Sequence, residues 1–188
     1  MALAAAAPVL LAGCGSAASS SNPVTHTTTQ TVTTTVTAGN GTGGSSTSSA
    51  SVPRCLTSQL GFRLSTNGAA GSIHLNGDLT NRSQTTCSLY GYPGLGLLDR
   101  SGAALPTAVL RSPSVVVPAV PEKLVVLAPN QTARFYAGYS DVDPQPCRSA
   151  AKLEVTPPNA YTHLTVPAAI APCGGIIHVS PVFALAGT

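Results

Sequence analysis

The stretch Cys87-Ser88-Leu89-Tyr90-Gly91-Tyr92-Pro93-Gly94 decides the fold of this chain. A cysteine with alternating apolar residues, followed by two glycines around a proline, is typical of a strand end, a tight corner and the start of another strand. The polar run at residues 81–86 is typical of the turn that leads into it. The stretch therefore predicts short strands joined by turns on both sides of it.

The composition extends this prediction to the whole folded part. The chain has 188 residues, of which 8% are charged and 4% aromatic, with 18 glycines, 16 prolines and no tryptophan. A helical bundle needs long periodic segments, so this composition favours short strands, and the apolar alternation gives about ten of them. We therefore predict one all-β domain over residues 54–188, an antiparallel immunoglobulin-like β-sandwich.

Local patterns predict how some of these strands connect. Residues 124–127 and 132–139 flank a turn sequence and indicate a hairpin. Residues 104–110 indicate one short strand, whereas the prolines within 111–122 exclude a central strand there. Gly77 falls on the apolar side of its strand, where we expect a bulge or a close neighbouring backbone.

The N-terminal residues resemble an export signal. The apolar run 2–11 ends in Leu11-Ala12-Gly13-Cys14, which resembles the lipobox of bacterial lipoproteins. We therefore predict a signal peptide at residues 1–13, an acylated Cys14, and attachment to the outer face of the cytoplasmic membrane. No basic residue precedes Arg54, so we expect the basic start of the signal peptide to be missing from this sequence.

Residues 14–53 predict a disordered tether behind the lipidated cysteine. They are rich in threonine, serine and glycine, with a threonine–valine alternation at residues 31–37. The few valines cannot bury enough apolar surface to offset the entropy of ordering the backbone.

The remaining cysteines predict two disulfide bonds. Cys55, Cys87, Cys147 and Cys173 lie in a chain predicted to be exported, where thiols oxidise. Four cysteines allow three pairings, and we favour Cys55–Cys87 with Cys147–Cys173, since each closes a short loop between neighbouring strands. A zinc site is the alternative, but the sequence has no Cys-x-x-Cys pair.

The sequence predicts no catalytic, metal-binding or cofactor-binding residues. It has no Gly-x-Ser-x-Gly elbow, His-Glu-x-x-His motif or phosphate-binding loop. His74, His163 and His178 could form an acid–base site only if the fold brought them together. Asp141 and Asp143 could bind calcium weakly, although a solvated loop explains them better.

Tyr90 and Tyr92 are the candidate binding residues. They flank Gly91 at the predicted corner and could line a binding face, although core packing would also explain them. The nine basic residues begin at Arg54 and form no cluster, which argues against a nucleic-acid partner.

Several motifs of the chain resemble a known family. They are Leu79-Thr80-Asn81, the Cys-x-Leu-x-Gly-Tyr-Pro-Gly stretch at 87–94, Leu98-Asp99, Ser101-Gly102, Leu127-Ala128-Pro129, Cys147, the strand end at 153–158 and Cys173. Together they resemble an uncharacterised domain family of exported actinobacterial proteins, frequent in mycobacterial and streptomycete lipoproteins. The resemblance implies a secreted β-sandwich with two structural disulfides in the cell envelope. It implies no catalytic residue, because the family's function is unknown.

The sequence as a whole favours a binding role. We expect a monomeric, membrane-anchored, non-enzymatic binding or scaffolding module of the envelope, held by the acylated Cys14. Its partner would be an envelope protein, a wall polymer or a lipid. One alternative is a carrier that holds a lipid or other apolar ligand between its sheets. The other is an envelope hydrolase, which would require His74, His163 or His178 to converge with an acid.

Overall fold

The computed structural model describes residues 51–69, 71–142 and 144–185. The predicted signal peptide, Cys14 and the tether up to residue 50 lie outside the described residues. In the described part, no helix has the length and hydrophobicity that spanning a bilayer requires.

The described residues form one 3₁₀ turn, Thr57–Gln59, and twelve strands. In chain order the strands are β1 (Leu60–Ala69), β2 (Ser72–Asn81), β3 (Cys87–Leu89), β4 (Gly94–Leu98), β5 (Ala104–Leu105), β6 (Ala108–Leu110), β7 (Val125–Leu127), β8 (Thr132–Tyr139), β9 (Ala150–Thr156), β10 (Leu164–Ile170), β11 (Ile176–Val179) and β12 (Phe183–Ala184).

The strands form three sheets. The large sheet has the order β1-β2-β8-β11-β6, with β12 also paired to β8. A four-stranded sheet has the order β10-β9-β4-β5, and β3 pairs with β7. Paired strands run antiparallel, except that β6 and β11 run parallel. The all-β prediction is confirmed, with the parallel β6–β11 pair as the exception to antiparallel pairing among the described strands, and the immunoglobulin-like strand order stays a prediction.

One hydrophobic core joins the large and four-stranded sheets. Leu75, Leu79 and Phe135 of the large sheet are fully buried in the same cluster as Leu97 and Leu153 of the four-stranded sheet. This burial follows from the alternation of the strands, in which every second side chain points to the same face.

Gly77 provides the space for the largest core side chain. The ring of Phe135 stacks on Phe62 with 6.1 Å between ring centroids. A Cβ atom built on Gly77 would lie 2.1 Å from a carbon of the Phe135 ring. The register of β2 continues unbroken through Gly77. The expectation of a bulge or a close backbone at Gly77 is therefore wrong, because its close neighbour is an aromatic side chain.

The predicted hairpin between residues 124–127 and 132–139 is also wrong in its pairing. Strand β7 pairs with β3, and β8 pairs with β2 on one side and with β11 and β12 on the other. The backbone of Asn81 binds the intervening turn: Asn130 N donates to Asn81 O at 2.7 Å, and Asn81 N donates to Gln131 O at 2.9 Å. Residues 128–131 are thus a corner that carries the chain from one sheet to another.

Residues 104–110 form two short strands instead of the predicted single strand. Strand β5 belongs to the four-stranded sheet and β6 to the large sheet. Pro106 lies between them and has no N–H to continue a ladder, so the chain changes sheets at this point. The following segment, 111–122, contains one isolated bridge, Ser114 to Val117, and no described strand, as its prolines predict.

Asn81 is the main buried polar residue between these sheets. Its side chain is fully buried and donates to Thr85 O at 2.8 Å and to Leu127 O at 3.0 Å. Its Oδ1 atom accepts from Ser83 N at 3.0 Å and from the Ser83 hydroxyl at 2.7 Å. The sequence placed Asn81 in an ordinary polar turn. The structure shows that it connects the end of β2 to β7.

Replacing Asn81 by alanine is expected to lower the free energy of unfolding by about 1–3 kcal/mol, because alanine cannot make the four hydrogen bonds of the buried Asn81 side chain. Urea denaturation followed by circular dichroism measures the change. The matched control is Asn76→Ala on the solvent side of β2, which is expected to change stability by less than about 0.5 kcal/mol. Equal losses in the two variants would contradict this role of Asn81.

Candidate functional site

The Gly-Tyr-Pro-Gly stretch forms the predicted corner. Strand β3 ends at Leu89 and β4 begins at Gly94, so the corner carries the chain from the two-stranded to the four-stranded sheet. Gly91 has φ 95°, a conformation that favours glycine. Gly91 O accepts a hydrogen bond from Val182 N at 2.9 Å, which fixes the corner against the segment before β12.

A cavity of about 360 Å³ opens at this corner. Ligand sites commonly measure about 300–1,000 Å³. We call it the corner cavity, and its lining residues are Tyr90, Gly91, Tyr92, Arg111, Glu122 and Asn159.

Both predicted tyrosines line the corner cavity. Tyr90 is 48% exposed, which leaves about half of its surface accessible to a ligand. Tyr92 is half-buried, and the Arg111 guanidinium carbon lies 5.9 Å from the centroid of its ring. This distance is within the range of a cation–π contact, which orients Arg111 over the corner.

The cavity also holds two charged side chains that do not neutralise each other. Arg111 and Glu122 are exposed, and neither takes part in an ion pair within the part of the chain that the structure describes. A guanidinium offers planar donors, and a carboxylate offers acceptors. The cavity therefore presents unused hydrogen-bonding groups of both kinds beside an aromatic ring.

Asn159 lines the corner cavity and is bonded to the backbone of Tyr90. It adopts φ 60° in the turn after Pro157-Pro158, and its side chain donates to Tyr90 O at 3.4 Å. Asn159 O accepts a hydrogen bond from the Arg54 side chain. These bonds connect the beginning of the folded domain, the loop after β9 and the corner.

Sequence reasoning found the two tyrosines and missed Arg111, Glu122 and Asn159. The three residues are far from Tyr90 in the chain, and only the tertiary fold brings them to the corner. The available local signals were weak: an asparagine after two prolines indicates a turn. Nothing in that signal indicates which surface the turn contacts.

The three histidines do not form one site. His163 Nε2 lies 3.0 Å from the Glu154 carboxylate. His74 and His178 are both in register with Gly138 and so lie on opposite sides of β8, and Val116 packs over Gly138 between them. The three histidines therefore lie in separate places, where His163 is paired with the Glu154 carboxylate and His178 Nδ1 lies 3.3 Å from the Ser112 hydroxyl.

The cysteines form the two favoured disulfides, Cys55–Cys87 and Cys147–Cys173, so the zinc alternative is wrong. Of the two candidate calcium ligands, Asp143 lies outside the described residues, and Asp141 Oδ1 accepts from Gly71 N at 2.7 Å. The described residues contain no group of three histidine, cysteine or carboxylate side chains that could hold a metal ion.

Another cavity is larger, at about 590 Å³, but its chemistry is poorer. It lies where the register of β9 and β10 shifts between Pro167 and Ile170. Its lining consists of Arg100, Ser149, Ala150, Ala151 and residues 167–171. Five of these residues are alanines, which offer no side-chain groups that could orient a ligand, so we take the corner cavity as the candidate site.

Comparison with known proteins agrees with the resemblance seen in the sequence. Searches of curated proteins and of solved structures found no match. Residues 55–182, which include the corner and all four disulfide cysteines, match one family model, described as a domain of unknown function. The chain therefore belongs to the DUF4232 family.

Proposed function

We propose that this protein is a membrane-anchored, non-enzymatic binding module of the cell envelope, and that the corner cavity is its binding site. The observation that carries the proposal is the composition of this cavity. A half-exposed tyrosine, an unpaired arginine and an unpaired glutamate converge on it. Convergent polar groups around an apolar surface are what a binding site needs to fix a ligand's orientation.

The envelope location rests on two features of the chain. The sequence before Cys14 resembles a lipobox, which would place the acylated protein on the outer face of the cytoplasmic membrane. Two disulfides in a small domain are typical of proteins in oxidising compartments. The tether at residues 14–53 would then lead from the membrane to the domain.

Binding explains the cavity better than catalysis does. Glu122 is the single carboxylate of the lining, and no histidine, cysteine or serine lines the cavity with it. Nucleophilic catalysis needs a nucleophile beside a base, and glycoside hydrolysis commonly needs two carboxylates. The carrier alternative has less support, because the side chains of Phe135, Leu75 and Leu153 are fully buried in the core between the sheets, where an apolar ligand would have to lie.

Replacing Tyr90 by alanine is expected to weaken binding to the envelope about tenfold or more, as removal of an aromatic anchor commonly does. The assay measures cosedimentation of the full chain with isolated envelopes of the source organism. The parent chain and the Tyr90→Ala variant both carry Cys14→Ala, so that an acyl chain on Cys14 cannot cause the binding.

The matched control is Val115→Ala, which removes a side chain that is 94% exposed and lies outside the cavity. It should bind like the parent protein. Circular dichroism checks that Tyr90→Ala keeps its fold. Unchanged binding by a folded Tyr90→Ala protein would rule out the corner cavity as the site.

A further inference from the structure

A second cavity adjoins the corner cavity along the same loop. It measures about 410 Å³ and is lined by residues 54–58 and 160–162. The corner cavity ends at Asn159, and this one begins at Ala160. Because Tyr161 lies in its lining, we call it the Tyr161 cavity.

Hydrogen bonds fix both ends of the loop at residues 159–162, which lies between the two cavities. Arg54 donates to Asn159 O, and the Asn159 side chain donates to Tyr90 O. Thr57 is buried, and its hydroxyl donates to Thr162 O at 3.2 Å, which fixes the other end of the loop. The two cavities are therefore neighbouring compartments on one fixed surface.

Each compartment combines a tyrosine ring with free hydrogen-bonding groups. Tyr161 is 94% exposed, so folding leaves nearly its whole ring accessible. The hydroxyls of Ser58 and Thr162 in the same cavity make no hydrogen bond within the described residues. In the corner cavity the ring is Tyr90, and the polar groups are Arg111 and Glu122.

This combination matches the chemistry of a sugar. One face of a pyranose ring carries C–H groups, which are attracted to the negative face of an aromatic ring. Its hydroxyls both donate and accept hydrogen bonds, so they suit a site with a guanidinium, a carboxylate and free hydroxyls. Within the corner cavity Arg111 and Glu122 cancel in charge, and Arg54 adds one guanidinium to the lining of the Tyr161 cavity.

We propose that the two cavities bind successive sugar units of one glycan chain, with Tyr90 and Tyr161 as the two stacking residues. The inference rests on the proposed function and names the class of its ligand. Asn159 alone separates the two cavities along the loop, so a linear polymer could pass over Asn159 and place one unit in each cavity.

The test compares the Cys14→Ala chain on differently treated envelopes of the source organism. Binding is expected to survive protease digestion and lipid extraction, and to be lost after periodate oxidation, which cleaves sugar diols. Tyr161→Ala is expected to weaken binding about tenfold, as loss of an aromatic contact can. Tyr161→Phe keeps the ring and should bind like the parent, as should the Val115→Ala control.

The possible failures are distinct. If protease digestion or lipid extraction abolishes binding and periodate oxidation does not, the ligand is not a glycan. If Tyr90→Ala still weakens binding in that case, the corner cavity remains the binding site. Full binding by Tyr161→Ala together with weak binding by Tyr90→Ala would overturn the second subsite. Full binding by Tyr90→Ala would overturn both this inference and the proposed function.

Discussion

Replacing Phe135 by alanine is expected to lower the free energy of unfolding by about 3–5 kcal/mol, the usual cost of deleting a buried phenylalanine ring. Phe135 is fully buried at the centre of the core and stacks on Phe62. Its removal leaves a cavity that the surrounding strands cannot close, because they are fixed in register on both sides. Urea denaturation followed by circular dichroism measures the loss, since the chain has no tryptophan.

A substitution at Gly77 tests whether close packing against the Phe135 ring, and not only the burial of apolar area, determines stability at this site. Gly77→Ala alone is expected to cost about 1–3 kcal/mol or more, because its new methyl group meets the ring of Phe135. With Phe135→Leu in the same chain, part of this cost should disappear. Additive effects of the two substitutions would contradict the proposed contact, because residues in contact normally couple.

Removing the Cys55–Cys87 disulfide with alanine at both positions is expected to lower the free energy of unfolding by about 3–4 kcal/mol. The bond joins residues 32 apart, and both cysteines are buried. Loss of the crosslink frees the unfolded chain and removes the covalent attachment of the segment that carries Arg54, which keeps its backbone hydrogen bonds to Ser88. Because Arg54 binds the Asn159 carbonyl between the two cavities, we expect weaker envelope binding as well.

The other disulfide provides the matched control. Cys147–Cys173 joins residues 26 apart, so its removal should cost a similar free energy of unfolding, about 3–4 kcal/mol. It lies outside both cavities and should leave binding unchanged in folded protein. Equal loss of binding in the two double variants would show that stability, and not the position of Arg54, causes the effect.

The sequence was sufficient for features that depend on short-range pattern. The alternation at Ala133, Phe135 and Ala137 predicted which side chains of β8 are buried. The two glycines around Pro93 predicted the corner between β3 and β4. In both cases the residues that determine the feature are close together in the chain.

The sequence was insufficient where partners are distant in the chain. The turn at 128–131 has a good hairpin sequence, but its pairing depends on Asn81, whose backbone binds Asn130 and Gln131. The candidate site has the same limit. Its tyrosines come from the corner, whereas Arg111, Glu122 and Asn159 come from three other places in the chain.

The position of Cys55 determines how a mechanical load would cross this domain. The proposed tether enters the domain just before Cys55, and the disulfide passes directly to Cys87, three residues before Tyr90. If the tether pulls on one side and a bound polymer on the other, the Cys55–Cys87 disulfide bears the tension between them. Strands β1 and β2 lie inside the closed loop and would carry little of it. The domain could then hold its ligand under strain without first being pulled open.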